Sequence, residues 1–140
     1  MTERLLGIDL GDVRTGIAVS DPFGMLASGI ETVSGLNDYE LADKIRTYAV
    51  QYGVKSVVMG IPVNMDGSQG FRADKVRAFA AYLTERTGLQ VILYDERLST
   101  VEASRYLNET NTRGKKRKAA IDTLSAQIIL QNYLDSRKRA

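Results

Sequence analysis

Apolar residues in the first quarter of the chain occur in short runs separated by polar, glycine-containing segments. The runs over residues 4–10, 15–20 and 25–33 each have the length of a β-strand. Residues 11–14 (GDVR) and 21–24 (DPFG) lie between them and are typical turn sequences. Strands connected by such tight turns are antiparallel neighbours. The pattern predicts a three-stranded antiparallel meander at the start of the fold.

The pattern then changes from a strand period to a helical period. Asn37 precedes Glu40 by three residues, which is the spacing of a capping box at a helix N-terminus. Gly53 stands where a residue with left-handed backbone commonly follows a helix. Between these signals, apolar side chains recur at helical spacing at Leu41, Ile45, Tyr48 and Tyr52. We therefore expect an amphipathic helix that begins after Asn37 and ends before Gly53.

The rest of the chain alternates strands with helices. Apolar runs predict strands over 54–61 and 89–96, and helical periodicity predicts helices over 71–87, 100–109 and 116–136. The last helix would bury a side formed by Ile121, Leu124, Ile128 and Leu134. The order βββ-α-β-α-β-α-α requires right-handed crossovers, which make the later strands parallel to the first. We expect a single domain over residues 1–140, an α/β fold with a five-stranded mixed sheet flanked by helices.

Two residue types are absent, and their absence narrows the chemistry. The chain of 140 residues has neither Cys nor His, which excludes disulfides, thiolate zinc sites, Ser-His-Asp triads and His-based metal motifs. An enzyme of this composition works with carboxylates, Lys, Arg, hydroxyl groups and hard metal ions. The N-terminal sequence does not resemble a signal peptide, and no apolar run approaches the ~20 residues that span a bilayer. We therefore expect a cytoplasmic protein without membrane association.

Charge is distributed unevenly along the chain. Residues 1–112 carry 11 Lys and Arg against 15 Asp and Glu, whereas residues 113–140 carry 8 against 2. Five of the six residues over 113–118 are basic. A cationic segment on a mildly acidic protein predicts a polyanionic partner. A solvated loop and a frayed terminus would carry the same charges, so charge alone leaves both interpretations open.

Asp9 is the first candidate for chemistry, because it lies within an apolar strand. An unpaired carboxylate buried there would be costly. Alternation places Leu6, Ile8 and Leu10 on one face of the strand and Gly7 and Asp9 on the other. The small neighbours leave room beside Asp9 for a ligand or for another backbone. An Asx turn at the end of the strand is the alternative explanation.

Two other regions supply acids near the ends of elements. Asp95 and Glu96 end the fifth strand, and alternation allows only one of them to share a given site. Both could instead cap the strand or pair with Arg97. Asp122 lies on the last helix among mostly small residues, where it would either enter a cleft beside the sheet or stabilise the helix dipole. A cluster of carboxylates predicts Mg²⁺ or Mn²⁺, and a pair of such ions catalyses phosphoryl transfer without a protein base.

Four motifs, in order along the chain, carry a resemblance to a known family. They are GIDLGDVRTGIAVSD, VVMGIPVNMDGSQG, DERLST and KKRKAAIDTLSAQIILQNYLD. The chain resembles, over nearly its whole length, the YqgF family of bacterial proteins, which are Holliday-junction-resolvase-like and have the RNase H-like fold. The resemblance implies a sheet of order 3-2-1-4-5, metal-dependent nuclease activity and a role in maturing the 5′ end of pre-16S ribosomal RNA.

The resemblance also implies which acids are catalytic. Carried over by motif, Asp9, Glu96 and Asp122 would be the catalytic residues and the ligands of the divalent ions. Many RNase H-like proteins place an acid at the end of strand 4, where this chain has the sequence MGIPVN. The second acid would therefore have to come from strand 5, one strand further from Asp9.

Substrate contacts are expected from basic and polar residues around these acids. The partner would be precursor ribosomal RNA or a pre-ribosomal subunit. We expect its phosphates to contact Arg97, Arg113, Lys115, Lys116, Arg117 and Lys118, which would make binding depend steeply on salt. The loop over 62–70 would border the cleft, with Asn64 and Gln69 as substrate contacts. An ordinary connecting loop is the alternative for this segment.

Three other functions remain compatible with the sequence. Junction resolution on DNA requires two active sites and therefore a stable dimer, and the sequence leaves the oligomeric state open. The segment GIDLG, followed by TG, also resembles the phosphate loop of actin-like ATPases and sugar kinases, but these close two such domains around a nucleotide. A non-catalytic RNA-binding protein of assembling ribosomal subunits would keep the basic segment and need none of the acids.

Overall fold

The computed structural model describes residues 4–62, 70–95 and 114–138, with side chains given for residues 123–137 of the last segment. The elements in this part of the chain are β1 (Leu5–Leu10), β2 (Arg14–Ser20), β3 (Ala27–Ser34), α1 (Asp38–Tyr52), β4 (Ser56–Ile61), α2 (Phe71–Thr87), β5 (Gln90–Asp95) and α3 (Gly114–Lys138). The helix predicted over 100–109 lies outside the described residues.

The five strands form one sheet of order β3-β2-β1-β4-β5. β1 pairs antiparallel with β2, and β2 with β3, whereas β4 is parallel to β1 and β5 is parallel to β4. The predicted meander, the parallel orientation of the later strands and the strand order are therefore confirmed. β1 occupies the centre of the sheet.

β3 begins two residues later than predicted, because the side chain of Asp21 holds the preceding turn. Its Oδ1 accepts hydrogen bonds from the N–H groups of Met25 (2.7 Å) and Leu26 (3.2 Å). The bond from Met25 is the main reason that the pKa of Asp21 lies below its ordinary value. Gly24 completes the turn with a positive φ of 68°.

α1 and α2 cover one face of the sheet. The predicted capping box of α1 is confirmed, since Asn37 Oδ1 accepts from the N–H of Glu40 (2.8 Å) and Glu40 Oε1 accepts from the N–H of Asn37 (3.0 Å). Gly53 follows α1 in the left-handed conformation, as predicted. Beneath the two helices, the sheet contributes a buried apolar core that includes Leu6, Ile8, Ile17, Val57, Met59 and Ile61.

α3 covers the opposite face of the sheet, with a buried side different from the one predicted. Leu134 is buried as expected, but Leu124 and Ile128 are only half-buried. The fully buried apolar residues of α3 are Ala126, Ile129, Leu130 and Leu134. The buried side includes Ala126 and Leu130, which pack on Gly7 of β1, a close contact between distant residues that the apolar pattern does not display. No helix in the described segments is both long and apolar enough to cross a bilayer.

Candidate functional site

Asp9 lies on the face of the sheet that α3 covers. Leu5 belongs to the core beneath α3, and Gly7 contacts α3 directly. Asp9 follows on the same side by alternation, whereas Leu6 and Ile8 belong to the core beneath α1 and α2. The predicted division of the strand into two faces is therefore confirmed. Asp9 itself is half-buried.

Both strands beside β1 present glycine next to Asp9. Gly16 of β2 is its direct partner in the antiparallel pair. On the other side, the register of β1 with β4 runs to the pair Ile8 and Met59, so that Gly60 comes next to Asp9. Because glycine has no side chain, neither neighbouring strand fills the space beside the carboxylate.

α3 lies very close to the centre of the sheet. A Cβ placed on Gly7 would stand 2.8 Å from the Cβ of Leu130 and 2.9 Å from the backbone oxygen of Ala126. Only glycine at position 7 permits this approach, which brings helix backbone against β1. The prediction that small residues leave room beside Asp9 for another backbone is correct at Gly7.

Contacts with β3 fix the direction of α3. Gln131 Oε1 accepts from the N–H of Ala27 at the start of β3 (2.9 Å), and the hydroxyl of Thr123 is hydrogen-bonded to that of Thr32 near its end. α3 therefore runs antiparallel to β3 and, since β3 and β1 are parallel, antiparallel to β1. Thr32 pairs with Gly16, the partner of Asp9, so Thr123 lies over the row of the sheet that contains Asp9.

Because α3 runs antiparallel to β1, the position of residue 122 along β1 can be estimated. The backbone of Ala126 lies against Gly7. Four helical residues span about 6 Å, and the two strand residues from Gly7 to Asp9 span about 6.6 Å. The α3 backbone at residue 122, one turn before Ala126, therefore lies at the same height along β1 as Asp9 and on the same face of the sheet. The side chain of Asp122 is outside the described part of the chain.

β5 separates the two acids that the sequence left as alternatives. Asp95 pairs with Ile61, which belongs to the core beneath α1 and α2. The preceding Tyr94 lies on the other face, where its ring meets that of Tyr133 on α3 edge-on, with 6.2 Å between the centroids. Asp95 and Asp9 thus lie on opposite faces of the sheet, and Asp95 is not placed to share a site with Asp9.

Ser125 is a polar residue that the sequence analysis did not single out. Its side chain is buried, and its Oγ has no hydrogen-bond partner within the described structure. It lies on α3 three residues after position 122. A helical serine usually bonds the carbonyl four residues earlier, so no sequence signal marks this hydroxyl as unsatisfied.

The other predicted site residues fall beyond what the structure describes. Asn64, Gln69, Glu96, Arg97 and Arg113 belong to segments outside it. The basic residues Lys115, Lys116, Arg117 and Lys118 lie within the first two turns of α3, where the backbone is described but the side chains are not.

The donor chemistry around Asp9 fits a hard divalent ion. Among the described side chains, no group of three Asp, Glu, His or Cys could hold a metal ion. Asp9 nevertheless offers a carboxylate between Gly16 and Gly60, and on α3 the buried hydroxyl of Ser125 has no partner among the described residues. Oxygen donors suit Mg²⁺ or Mn²⁺, and the chain offers no imidazole or thiolate for softer ions.

Solved structures with the same architecture identify the fold. The chain is similar to Thermus thermophilus RuvC in complex with a Holliday junction substrate, with a TM-score of 0.61 and 11% identity over 99% of this chain and 98% of that one. It is also similar to the fowlpox virus resolvase in complex with Holliday junction DNA, with a TM-score of 0.53 and 12% identity over 96% and 98% of the two chains. The fold is that of the RuvC-like, RNase H-fold resolvases.

Sequence comparison then gives the family. Residues 3–136 match the model of the RuvX family, described as Holliday junction resolvase, and the chain belongs to this family. RuvX is the YqgF family, so the resemblance inferred from the four motifs is confirmed. Membership makes the protein a nuclease, a hydrolase that acts on nucleic acid, as the sequence predicted.

Curated relatives match over nearly their full length. A protein of Acetivibrio thermocellus is 45% identical over 136 residues, which are 96% of each chain. A protein of Geobacillus kaustophilus is 45% identical over 138 residues, covering 96% of this chain and 99% of the relative. Both carry the name "Putative pre-16S rRNA nuclease".

Proposed function

We propose that this protein is a divalent-metal-dependent nuclease that hydrolyses phosphodiester bonds during maturation of the 5′ end of pre-16S ribosomal RNA. The names of the curated relatives support this substrate, and they match at 45% identity. The structural observation that carries the proposal is the setting of Asp9. This carboxylate lies on the central strand between Gly16 and Gly60, on the face that α3 covers.

Asp9, Glu96 and Asp122 would hold Mg²⁺ or Mn²⁺. The level of residue 122 on α3 supports the pairing of Asp122 with Asp9. Asp95 faces away from Asp9, which favours Glu96 as the acid that acts with it. By strand alternation, the residue after Asp95 would lie on the same face as Tyr94. When bound, such ions activate a water molecule and stabilise the departing oxygen of the phosphodiester.

The protein's own residues supply position rather than proton transfer. No histidine is available as a general base. The carboxylates would bind and orient the ions, and the Thr32–Thr123 hydrogen bond with the Gly7 contact would hold α3 at a fixed height above β1. This rigidity matters because catalytic groups must be held to within about 0.5 Å of their productive positions.

Basic residues would bind the backbone of the RNA. Arg97 and the basic residues over 113–118 follow β5 and enter α3, close in sequence to two of the three acids. Asn64 and Gln69 follow β4 in the sequence, and we expect them to contact the substrate, because ligands of such sheets bind at the carboxyl ends of the strands. The cytoplasmic location expected from the sequence belongs to the same proposal.

The test is an assay of metal-dependent cleavage. End-labelled RNA spanning the 5′ flank of 16S ribosomal RNA is incubated with the purified protein in Mn²⁺ and in EDTA. Asp9→Asn protein is assayed in parallel, with Asp43→Asn as the matched control because Asp43 is exposed on α1. We expect cuts that require Mn²⁺, are absent with Asp9→Asn and persist with Asp43→Asn, while both variants still bind RNA.

A four-way DNA junction forms the second arm of the assay, because the family is described as Holliday junction resolvase. Cleavage of the junction without cleavage of the RNA would replace the proposed substrate with DNA. RNA binding without cleavage of either substrate would overturn the proposed activity and favour a binding role. Unchanged turnover in Asp9→Asn would exclude Asp9 as a catalytic residue.

A further inference from the structure

A cavity of about 120 Å³ lies on the other face of the sheet from Asp9. It opens at the carboxyl end of β1, between the β1–β2 hairpin, α1 and α2. Its floor is mostly apolar, with Leu10, Val33, Leu41, Val76 and Phe79 beside the buried Thr15. Val13 at the tip of the hairpin, 70% exposed, extends this apolar surface outwards.

The volume limits what the cavity can hold. It corresponds to roughly four water molecules at ~30 Å³ each, well below the ~300–1,000 Å³ of sites for drug-sized ligands. One flat heterocycle fits such a space, and the remainder of its molecule must lie at the opening. The groups at the opening therefore decide the class of ligand.

The α2 side of the opening is positively charged. Lys75 Nζ donates to Asp12 Oδ1 at 2.9 Å. That hydrogen bond is the main cause that lowers the pKa of Asp12, and the charge of Arg72 lowers it further. Arg72 and Lys75 thus stand against the single carboxylate of Asp12, which leaves this side of the opening with a positive charge for an anion. The Lys75 side chain is exposed, so an incoming phosphate can reach its ammonium group.

The α1 side of the opening presents an acceptor. Asp38, the first residue of α1, lines the cavity across from the α2 cations. A carboxylate can accept hydrogen bonds from the ribose hydroxyls of a nucleotide, as the acid of dinucleotide-binding folds does. The opening thus offers a phosphate site on one side and a hydroxyl acceptor on the other, with an apolar floor between them.

We propose that this cavity binds one unstacked ribonucleotide of the RNA substrate. Its base lies on the apolar floor, its phosphate contacts Arg72 and Lys75, and its ribose hydroxyl donates to Asp38. The inference rests on the proposed function. Leu10 in the cavity directly follows Asp9 in β1, so a strand that crosses the hairpin reaches both sites. Contact with the 2′-hydroxyl distinguishes RNA from DNA, which gives the protein a means of selecting RNA.

The test compares two variants with two matched controls. Arg72→Ala removes a cation at the opening, and Arg77→Ala removes an exposed cation elsewhere on α2. Asp38→Ala removes the acceptor, and Asp43→Ala removes an exposed acid elsewhere on α1. All four are made in the Asp9→Asn protein, and the Kd for single-stranded RNA and for DNA of the same sequence is measured. Titration with AMP and dAMP, followed by NMR, probes the cavity alone.

We expect Arg72→Ala to weaken RNA binding by roughly tenfold, as for the loss of one charge-assisted hydrogen bond. Asp38→Ala should remove the preference for RNA over DNA and for AMP over dAMP, and both controls should bind like the parent. Unfolding in urea checks that the variants fold.

Two outcomes would overturn the inference. One is RNA affinity that neither Arg72→Ala nor Asp38→Ala changes. The other is binding of AMP in the cavity with no effect of the variants on RNA, which would make it a site for a free mononucleotide. These experiments measure binding constants, whereas the proposed function is tested by cleavage. Failure of this inference can therefore be distinguished from failure of the proposed function.

Discussion

Gly7 of β1 and Leu130 of α3 are in direct contact, with so little space that a Cβ at position 7 would stand 2.8 Å from the Cβ of Leu130. This contact sets the height of α3 above the central strand. Asp9 lies two residues beyond Gly7 on the same face, and residue 122 lies one turn before Ala126. The distance between the two predicted catalytic acids therefore depends on a position that carries no side chain.

Gly7→Ala should accordingly damage both stability and catalysis. The added methyl group forces α3 away from β1, and such overpacking costs about 1–3 kcal/mol. We expect a lower midpoint in urea and, at temperatures where the variant is fully folded, slower RNA cleavage.

Gly35→Ala is the control for Gly7→Ala. Gly35 has a positive φ of 73° and no atom within 4 Å of an added Cβ, so alanine there costs about 1–2 kcal/mol of backbone strain without touching α3. This variant should cleave RNA at the normal rate. A Gly7→Ala protein as active and as stable as the parent would contradict the role of the contact.

Asp95 and Glu96 offer a test between adjacent residues. Asp95 lies on the face opposite to Asp9, so Asp95→Asn should leave the rate of RNA cleavage within about twofold, as for surface substitutions. Glu96→Gln should abolish cleavage as Asp9→Asn does, since it removes a proposed metal ligand. If both variants lose cleavage activity to a similar extent at the same Mn²⁺ concentration, strand alternation does not determine which of the two acids is catalytic.

Much of the fold could be predicted because its signals are local. The capping box of Asn37 and Glu40 and the left-handed Gly53 fix the ends of α1 within one stretch of sequence. Alternation along β1 likewise assigned Asp9 to the face opposite Ile8. These features depend on neighbours a few residues apart, which a sequence displays directly.

Three other features depend on contacts between residues far apart in the sequence, and these could not be predicted. The prediction of the buried side of α3 was wrong because Ala126 and Leu130 pack on Gly7, which leaves Leu124 and Ile128 only half-buried. The start of β3 was wrong because the Asp21 side chain bonds the backbone after the turn. The cavity beneath the hairpin joins residues from four elements, and no motif marks it.

Ser125→Ala tests whether the buried hydroxyl serves the site. Its Oγ has no partner in the described structure, and an unsatisfied buried polar group costs about 1–3 kcal/mol. We therefore expect Ser125→Ala to be at least as stable as the parent in urea without metal. We also expect its RNA cleavage to be slower, because the hydroxyl is one turn from residue 122.

Ser136→Ala provides the comparison, since the Ser136 hydroxyl donates to the carbonyl of Tyr133 (2.7 Å) at the exposed end of α3. This variant should change neither stability nor cleavage appreciably. Marked destabilisation by Ser125→Ala would indicate that its hydroxyl has a partner in the folded protein.

The hydrogen bond from Tyr48 to Glu31 predicts a pH dependence of stability. This bond is the main cause that lowers the pKa of Glu31, and burial is the main cause that raises the pKa of Tyr48 to about 12. The contribution of Glu31 is complete above its ordinary pKa of 4.5 and is lost as pH falls through the lowered value. That of Tyr48 is complete below its ordinary pKa of 10 and is lost as pH rises through about 12.

Tyr48→Phe should therefore lower the free energy of unfolding by ~1 kcal/mol between about pH 4.5 and about pH 10. The difference from the parent should shrink outside that range. Urea unfolding at several pH values measures it. A difference that stays constant down to strongly acidic pH would mean that the bond does not depend on the charge of Glu31.

The basic residues at the start of α3 should set the salt dependence of RNA binding. Each phosphate contact on a single strand contributes about 0.7 to the slope of log K against log salt. Replacing Lys115, Lys116, Arg117 and Lys118 with Gln should reduce this slope by up to roughly 3. Lys55→Gln with Arg77→Gln, both exposed and neither lining the cavity, should leave it unchanged. Equal slopes in the fourfold variant and the parent would mean that this segment is a solvated helix end, and that the RNA backbone is bound elsewhere.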